Sequence, residues 1–190
     1  MLAMSTSDRY HHGDLRNALL TAAERMIDAD VRRRFSLREL AREAGVSHAA
    51  PYKHFPDRAQ LVAELAARWM TDFVDVQEAA MTGSGARADL LAVGSAYVDW
   101  AVEHPSRFTV IFDPALNQGP GEDALGAQAA RHGALLSDLV RRARAEGVLD
   151  GAADVVAGRL WATVHGAAAL VLLGHLSRDR VRPMLEDALG

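Results

Sequence analysis

Phe35-Ser-Leu-Arg-Glu-Leu-Ala-Arg-Glu-Ala-Gly-Val-Ser-His-Ala-Ala-Pro-Tyr-Lys-His-Phe-Pro-Asp-Arg58 decides how this chain is read. Ser36 and Glu39 stand at the spacing of a capping box, in which the serine hydroxyl takes a first-turn amide and the glutamate reaches back to the cap amide. A helix is therefore expected over Leu37 to Ala44. Gly45 permits the positive φ of a tight turn, and Ala41 is small where a second helix must cross. Ser47 is the next N-cap candidate, so a third helix is expected after a turn of about three residues. Helices joined this tightly cross rather than run antiparallel. Leu37, Leu40 and Val46 supply the small core that sets the crossing, which leaves the start of the third helix free to enter a major groove.

Outward from this segment the pattern stays helical. Asp14 to Ala29 carries Leu15, Leu19, Ala22 and Met26 at helical spacing, with Asp14 at the favourable N-terminal end. Pro56-Asp57 closes the third helix and caps a fourth, whose stripe Leu61, Leu65, Trp69, Phe73, Val76 runs to about Ala80. Such a length can join two modules rigidly. Gly83-Ser84-Gly85 breaks the pattern. Helices then follow at about Ala86–Glu103 and Pro105–Phe112, a Gly/Pro-rich loop at Asp113–Gly121, and helices at about Glu122–Glu146, Ala152–His175 and Arg178–Leu189. The expectation is an all-α fold of about nine helices: an N-terminal three-helix helix-turn-helix domain joined by a long helix to a C-terminal helical domain.

With 190 residues and 49% hydrophobic composition the chain can bury its own core. It has no cysteine, which excludes a disulfide framework, a thiolate metal site and a cysteine nucleophile, and fits a reducing compartment; cytoplasm is expected. Met1 to Arg9 holds no apolar run long enough for a secretion signal. The net charge of −4 is unevenly spread: residues 1–68 carry +2 and the remainder −6, so the basic part can face phosphate. Lys53 is the only lysine, leaving cationic work to arginine. There is no Gly-rich phosphate loop or nucleophile elbow, and Asp, Glu and His fall at no metal or acid–base spacing, so neither an enzyme, a metal site nor a cofactor is expected. Val155 to Leu176 is the most apolar stretch, but Arg159 and His165 interrupt it, and a buried or dimer-facing helix is expected rather than a membrane span.

Tyr10-His-His-Gly-Asp-Leu-Arg16, the Ser36 to Ser47 run and Tyr52-Lys-His-Phe-Pro-Asp-Arg58 together resemble the N-terminal domain of the TetR family of bacterial repressors, over about residues 10–68. Trp161-Ala-Thr-Val-His-Gly166 and His104-Pro-Ser-Arg-Phe108 resemble one subgroup of that family's ligand domains. The resemblance implies a flexible arm at 1–13, a DNA-binding domain at 14–60 and a ligand-binding and dimerisation domain at 61–190. It implies a dimeric repressor of double-stranded operator DNA, released by a small-molecule effector. Tyr52 and Arg58 match positions that contact phosphate in the family. Ser36 and Arg38 are also placed to meet the backbone. Base reading falls to Ser47, His48, Ala49 and Ala50, with Lys53 toward the end of the helix. Pro51 departs from the commoner aliphatic residue: it lacks the amide that would bond the Ser47 carbonyl and disfavours αR geometry at Ala50, so a distorted first turn is expected.

Tyr97, Trp100, Phe108, Phe112, Trp161 and His165 are the candidates for a ligand pocket, with plain core expected for about half of them. His11-His12 is read as polar residues flanking DNA rather than a metal pair, and His54 as packing. Arg32-Arg33-Arg34 could grip phosphate or lie in a solvated loop, while Arg141-Arg142-Ala143-Arg144 is read as a solvated helix face. Ala157, Gly158, Ala162, Gly166 and Ala169 permit close helix approach, which favours a homodimer through helices at about 152–189 over intramolecular packing. The alternative is a DNA- or partner-binding helical protein with no small-molecule effector.

Overall fold

A computed structural model describes residues 12–117 and 122–190, with side chains over 15–117 and 124–190. Among these residues there are nine α-helices and no strand: α1 (His12–Ala29), α2 (Leu37–Glu43), α3 (Arg58–Ala80), α4 (Ala86–Glu103), α5 (Pro105–Phe112), α6 (Pro114–Asn117), α7 (Glu122–Ala145), α8 (Ala153–Leu172) and α9 (Val181–Ala188). The all-helical expectation holds. The expected arm at 1–13 and His11 lie outside the described residues except for the first turn of α1, which begins two residues ahead of Asp14. The expected loop at 113–121 contains the short α6, and a 3-10 turn at Arg178–Arg180 leads into α9.

Local chemistry sets the ends of α2. The Glu39 amide donates to Ser36 Oγ at 3.2 Å and the Ser36 amide to Glu39 Oε2 at 2.8 Å, completing the capping box. This pairing holds the Glu39 carboxyl below its usual range, first through the Ser36 amide. At the other end Gly45 takes φ +69°, while Val46 N donates to Ala41 O at 2.9 Å and Gly45 N to Arg42 O at 3.2 Å. This is a Schellman closure, which only a residue tolerant of positive φ permits cheaply. Asp57 caps α3 by accepting from Gln60 N at 2.8 Å.

The third helix differs from expectation. Ser47 to Ala50 form a turn, and only Pro51–Lys53 are helical, as a single 3-10 turn. Pro51 cannot donate to the Ser47 carbonyl, and Ala50 N takes it instead at 2.9 Å, three residues on rather than four. Ala50 itself remains αR at φ −62°, ψ −45°, against the expected displacement. The distortion is thus absorbed by tightening the hydrogen-bond spacing, not by expelling Ala50 from helical geometry.

α3 is the spine. Its N-terminal half shares a core with α1 and α2 through Leu19, Ile27, Phe35, Leu40, Phe55 and Leu61, each buried and worth about 1.5–3 kcal/mol if large and apolar. That core runs without a break into the second half. There Phe73 meets the rings of Tyr97 (4.7 Å), Trp100 (5.0 Å), Phe112 (5.7 Å), Phe108 (6.4 Å) and His132 (5.4 Å), tying α3 to α4, α5 and α7. The stripe Leu61, Leu65, Trp69, Phe73 continues to Gln77, which is buried, and not to Val76, which is exposed.

Asp89 on α4 is also buried. It accepts from Thr82 N and Gly83 N, both at 2.9 Å, from Thr82 Oγ1 at 3.3 Å, and from Arg142 of α7 at 2.9 Å. Burial pulls its carboxyl up, but these donors outweigh it and hold the group below its usual range. Arg142 is therefore an anchor, contrary to the expectation of a solvated face, whereas Arg141 and Arg144 are exposed as expected.

Candidate functional site

Two regions gather the candidate residues. The first is the face formed by the start of α2, the turn at 47–53 and the start of α3. Ser36, Arg38, Ser47, His48, Ala49 and Lys53 are exposed, and Tyr52 is 52% exposed despite its size. Among the described residues Arg38 and Lys53 form no ion pair. Ala50 differs from its expected role: it is buried, so its methyl packs inward instead of facing a groove. His54 is half-buried, as a packing residue is.

Arg58 stacks its guanidinium over Phe35 at 4.8 Å from the ring centroid, and its Nε meets no partner among the described residues. Burial and the neighbouring Arg34 both push its pKa down. A cation half-desolvated beside a second cation is a position that an incoming phosphate relieves. Arg33 pairs loosely with Glu39 at 3.5 Å, whereas Arg32 and Arg34 are exposed and join no ion pair among the described residues.

The second region is a small apolar cavity under the α7–α8 seam, about 50 Å³ in volume and partly open to solvent. Of the six residues singled out for a ligand pocket, Tyr97 and Trp161 line it. Trp100, Phe108, Phe112 and His165 do not. Trp100 is buried and donates to Asp72 Oδ2 at 2.7 Å, outside the cavity. Phe108 and Phe112 pack on Tyr97, Phe73 and His165, forming an aromatic wall behind it. His165 Nδ1 hydrogen-bonds the Tyr97 hydroxyl at 2.7 Å and so positions a lining residue without lining the cavity itself.

Burial pushes the Tyr97 phenol pKa up, so it stays protonated, and pushes His132 and His165 down, His132 further under the charge of His165. Gln77, His132, Leu135, Leu136, Leu160 and Val164 line the cavity and were not singled out from the sequence. Gln77 alone left a signal, as a polar residue falling on the i+4 stripe of α3.

Comparison with known proteins matches family models to the stretches that carry these two regions. Residues 19–65 match the family described as "Bacterial regulatory proteins, tetR family", and residues 90–189 match "Tetracyclin repressor-like, C-terminal domain". A solved structure of a protein with unknown function from Rhodococcus sp. RHA1 is 34% identical, covering 96% of this chain and 97% of that one, with a TM-score of 0.79. The fold is shared with a TetR family transcriptional regulator, PfmR, from Thermus thermophilus (18% identity, 90% and 96% coverage, TM-score 0.74). It is also shared with the fatty acid degradation regulator FadR from Bacillus halodurans (16% identity, 94% and 96% coverage, TM-score 0.75). The comparison with curated proteins returned no relative. A helix-turn-helix joined by one long helix to this C-terminal domain defines a DNA-binding transcriptional regulator. The chain belongs to the TetR family.

Proposed function

We propose that the protein is a cytoplasmic, homodimeric repressor that leaves its operator when a small molecule occupies the cavity under α7 and α8. The observation carrying this reading is the continuity of α3. Its first residue is Arg58 on the DNA-facing side, and its second half holds Phe73, the hub of the aromatic wall, and Gln77, a lining residue of the cavity. A rigid helix with one end in each region converts a shift at the cavity into a shift of the DNA-reading turn. An effector acts only by its difference in affinity between the two arrangements.

In the bound arrangement Arg38, Tyr52 and Arg58, with Ser36, meet phosphates, while Lys53 extends the base-reading set. Ser47, His48 and Ala49 face the base edges, and DNA shape supplies further selectivity.

Dimerisation is supported by α8. By length and composition this helix could cross a membrane, yet only 22% of its most apolar window is buried within the chain. Ala167 and Ala168 pack into the chain's own core, but Gly158 and Gly166 do not: a Cβ added at either meets nothing within 4 Å. Gly126 and Gly133 on α7 are equally open. With Val155, Trp161 and Leu170 exposed nearby, α7 and α8 offer a two-helix apolar face suited to an identical partner. The expected 152–189 interface is thereby extended to α7.

The test is titration of labelled DNA from upstream of the protein's own gene, at several salt concentrations and with unrelated competitor DNA. Saturable, competitor-resistant protection of a near-palindrome is expected. Sequence-indifferent binding there, together with no enrichment of any site from random DNA, overturns the repressor reading.

A further inference from the structure

Gln77 and Asp89 are the buried polar side chains among the described residues, each 1% exposed. Asp89 is met by four donors. Gln77 makes one hydrogen bond, from Nε2 to the Phe73 carbonyl at 2.7 Å, and no donor of the described residues meets its carboxamide oxygen. That side chain lines the cavity. His132 lines it as well, with neither ring nitrogen hydrogen-bonded to a described residue, while the Tyr97 hydroxyl is engaged by His165. The remaining walls are aliphatic apart from the Trp161 ring, and no Arg, Lys, Asp or Glu among the described residues lines the cavity.

A single acceptor on an otherwise apolar wall fixes the orientation of any donor that enters beside it. A carboxylate entering this cavity would lose its hydration and find no cation in return. Resting on the reading of this cavity as an effector site, we infer that the effector is an uncharged, mainly aliphatic molecule whose hydroxyl donates to the Gln77 carboxamide oxygen, with His132 as a second polar contact. A site built to pair a hydroxyl discriminates strongly against the analogue that lacks one.

Calorimetric titration of the full chain at pH 7.5 with octan-1-ol, heptyl methyl ether and octanoate tests this. The ether has the same number of non-hydrogen atoms as the alcohol and no donor. Octan-1-ol is expected to bind at least tenfold more tightly than either. Gln77→Met, of similar size, is expected to abolish the preference for alcohol over ether; where that variant does not fold, the alcohol–ether comparison on the unmodified protein stands alone. Octanoate binding as tightly as the alcohol overturns the assignment of an uncharged effector and leaves the effector-site reading intact. Equal affinity for ether and alcohol, or an unchanged preference in a folded Gln77→Met, overturns the role of Gln77. Saturable binding of none of the three overturns both the inference and the effector-site reading.

Discussion

Arg58→Ala is the sharpest perturbation of the DNA-facing surface. Arg38 and Arg58 meet phosphate and exposed Arg34 stands beside Arg58, so with three such cations per subunit a dimer neutralises about six phosphates and log K should fall with log salt at a slope near −5. Removing Arg58 deletes two of these contacts per dimer, and the slope should shallow by about 1.8, at ~0.9 per phosphate. If the two affinities converge near 1 M salt, that change is worth about 30-fold at 0.15 M. Stacking over Phe35 contributes about 0.5–1 kcal/mol to folding, so circular dichroism and melting must show the variant folded. The readout is fluorescence anisotropy on operator and scrambled DNA across salt concentrations. Because a phosphate contact carries no sequence information, both DNAs should lose affinity alike. An unchanged slope, or a loss confined to the operator, refutes the placement of Arg58 against the backbone.

Gly166→Leu should leave helix content intact, since a Cβ there meets nothing in the single chain, and should turn the dimer into a monomer by sedimentation at micromolar concentration; an intact dimer argues against the α7–α8 interface. Asp89→Ala removes four hydrogen bonds, two of them from surface amides that water can replace, for a cost of about 2–3 kcal/mol and a fall in Tm of about 4–12 °C; a shift under 2 °C contradicts the clamp. His132 and His165, which lie near one another and near Tyr97, are held uncharged by burial. The unfolded chain therefore binds protons that the folded one declines, and stability should fall as pH drops below the ordinary histidine value of about 6.5. Thermal melts from pH 7.5 to 5 should show a shallower decline in His132→Leu, and identical pH profiles would remove His132 from this account.

The helix-turn-helix was legible because its signals are local. Ser36 with Glu39, Gly45, and Asp57 each act within a turn of themselves, so residue type and spacing suffice to locate the helix ends. The geometry at Pro51 was half legible. The missing amide could be read, but the response could not, because i+3 bonding and displacement of Ala50 answer the same deficit equally well from sequence. The cavity was mostly hidden. Leu135, Leu160 and Val164 are the same residue types whether they face a neighbour or a void, and only the tertiary arrangement of α4, α7, α8 and α9 separates the cases. Aromatic residues drew the prediction toward Phe108 and Phe112, which form the wall behind the cavity, and toward Trp100, which is held outside it by Asp72.

The single 3-10 turn at Pro51–Lys53 bears on the genome as well as on the protein. A full recognition helix can interrogate several consecutive base pairs per half-site, whereas this shortened element offers His48 as its one long side chain ahead of the proline. Operators for this regulator should therefore have low information content in each half-site. Most of the discrimination among chromosomal positions then falls on the separation and symmetry of the two halves, so that inserting one base pair between them should weaken binding more than most single-base changes within them.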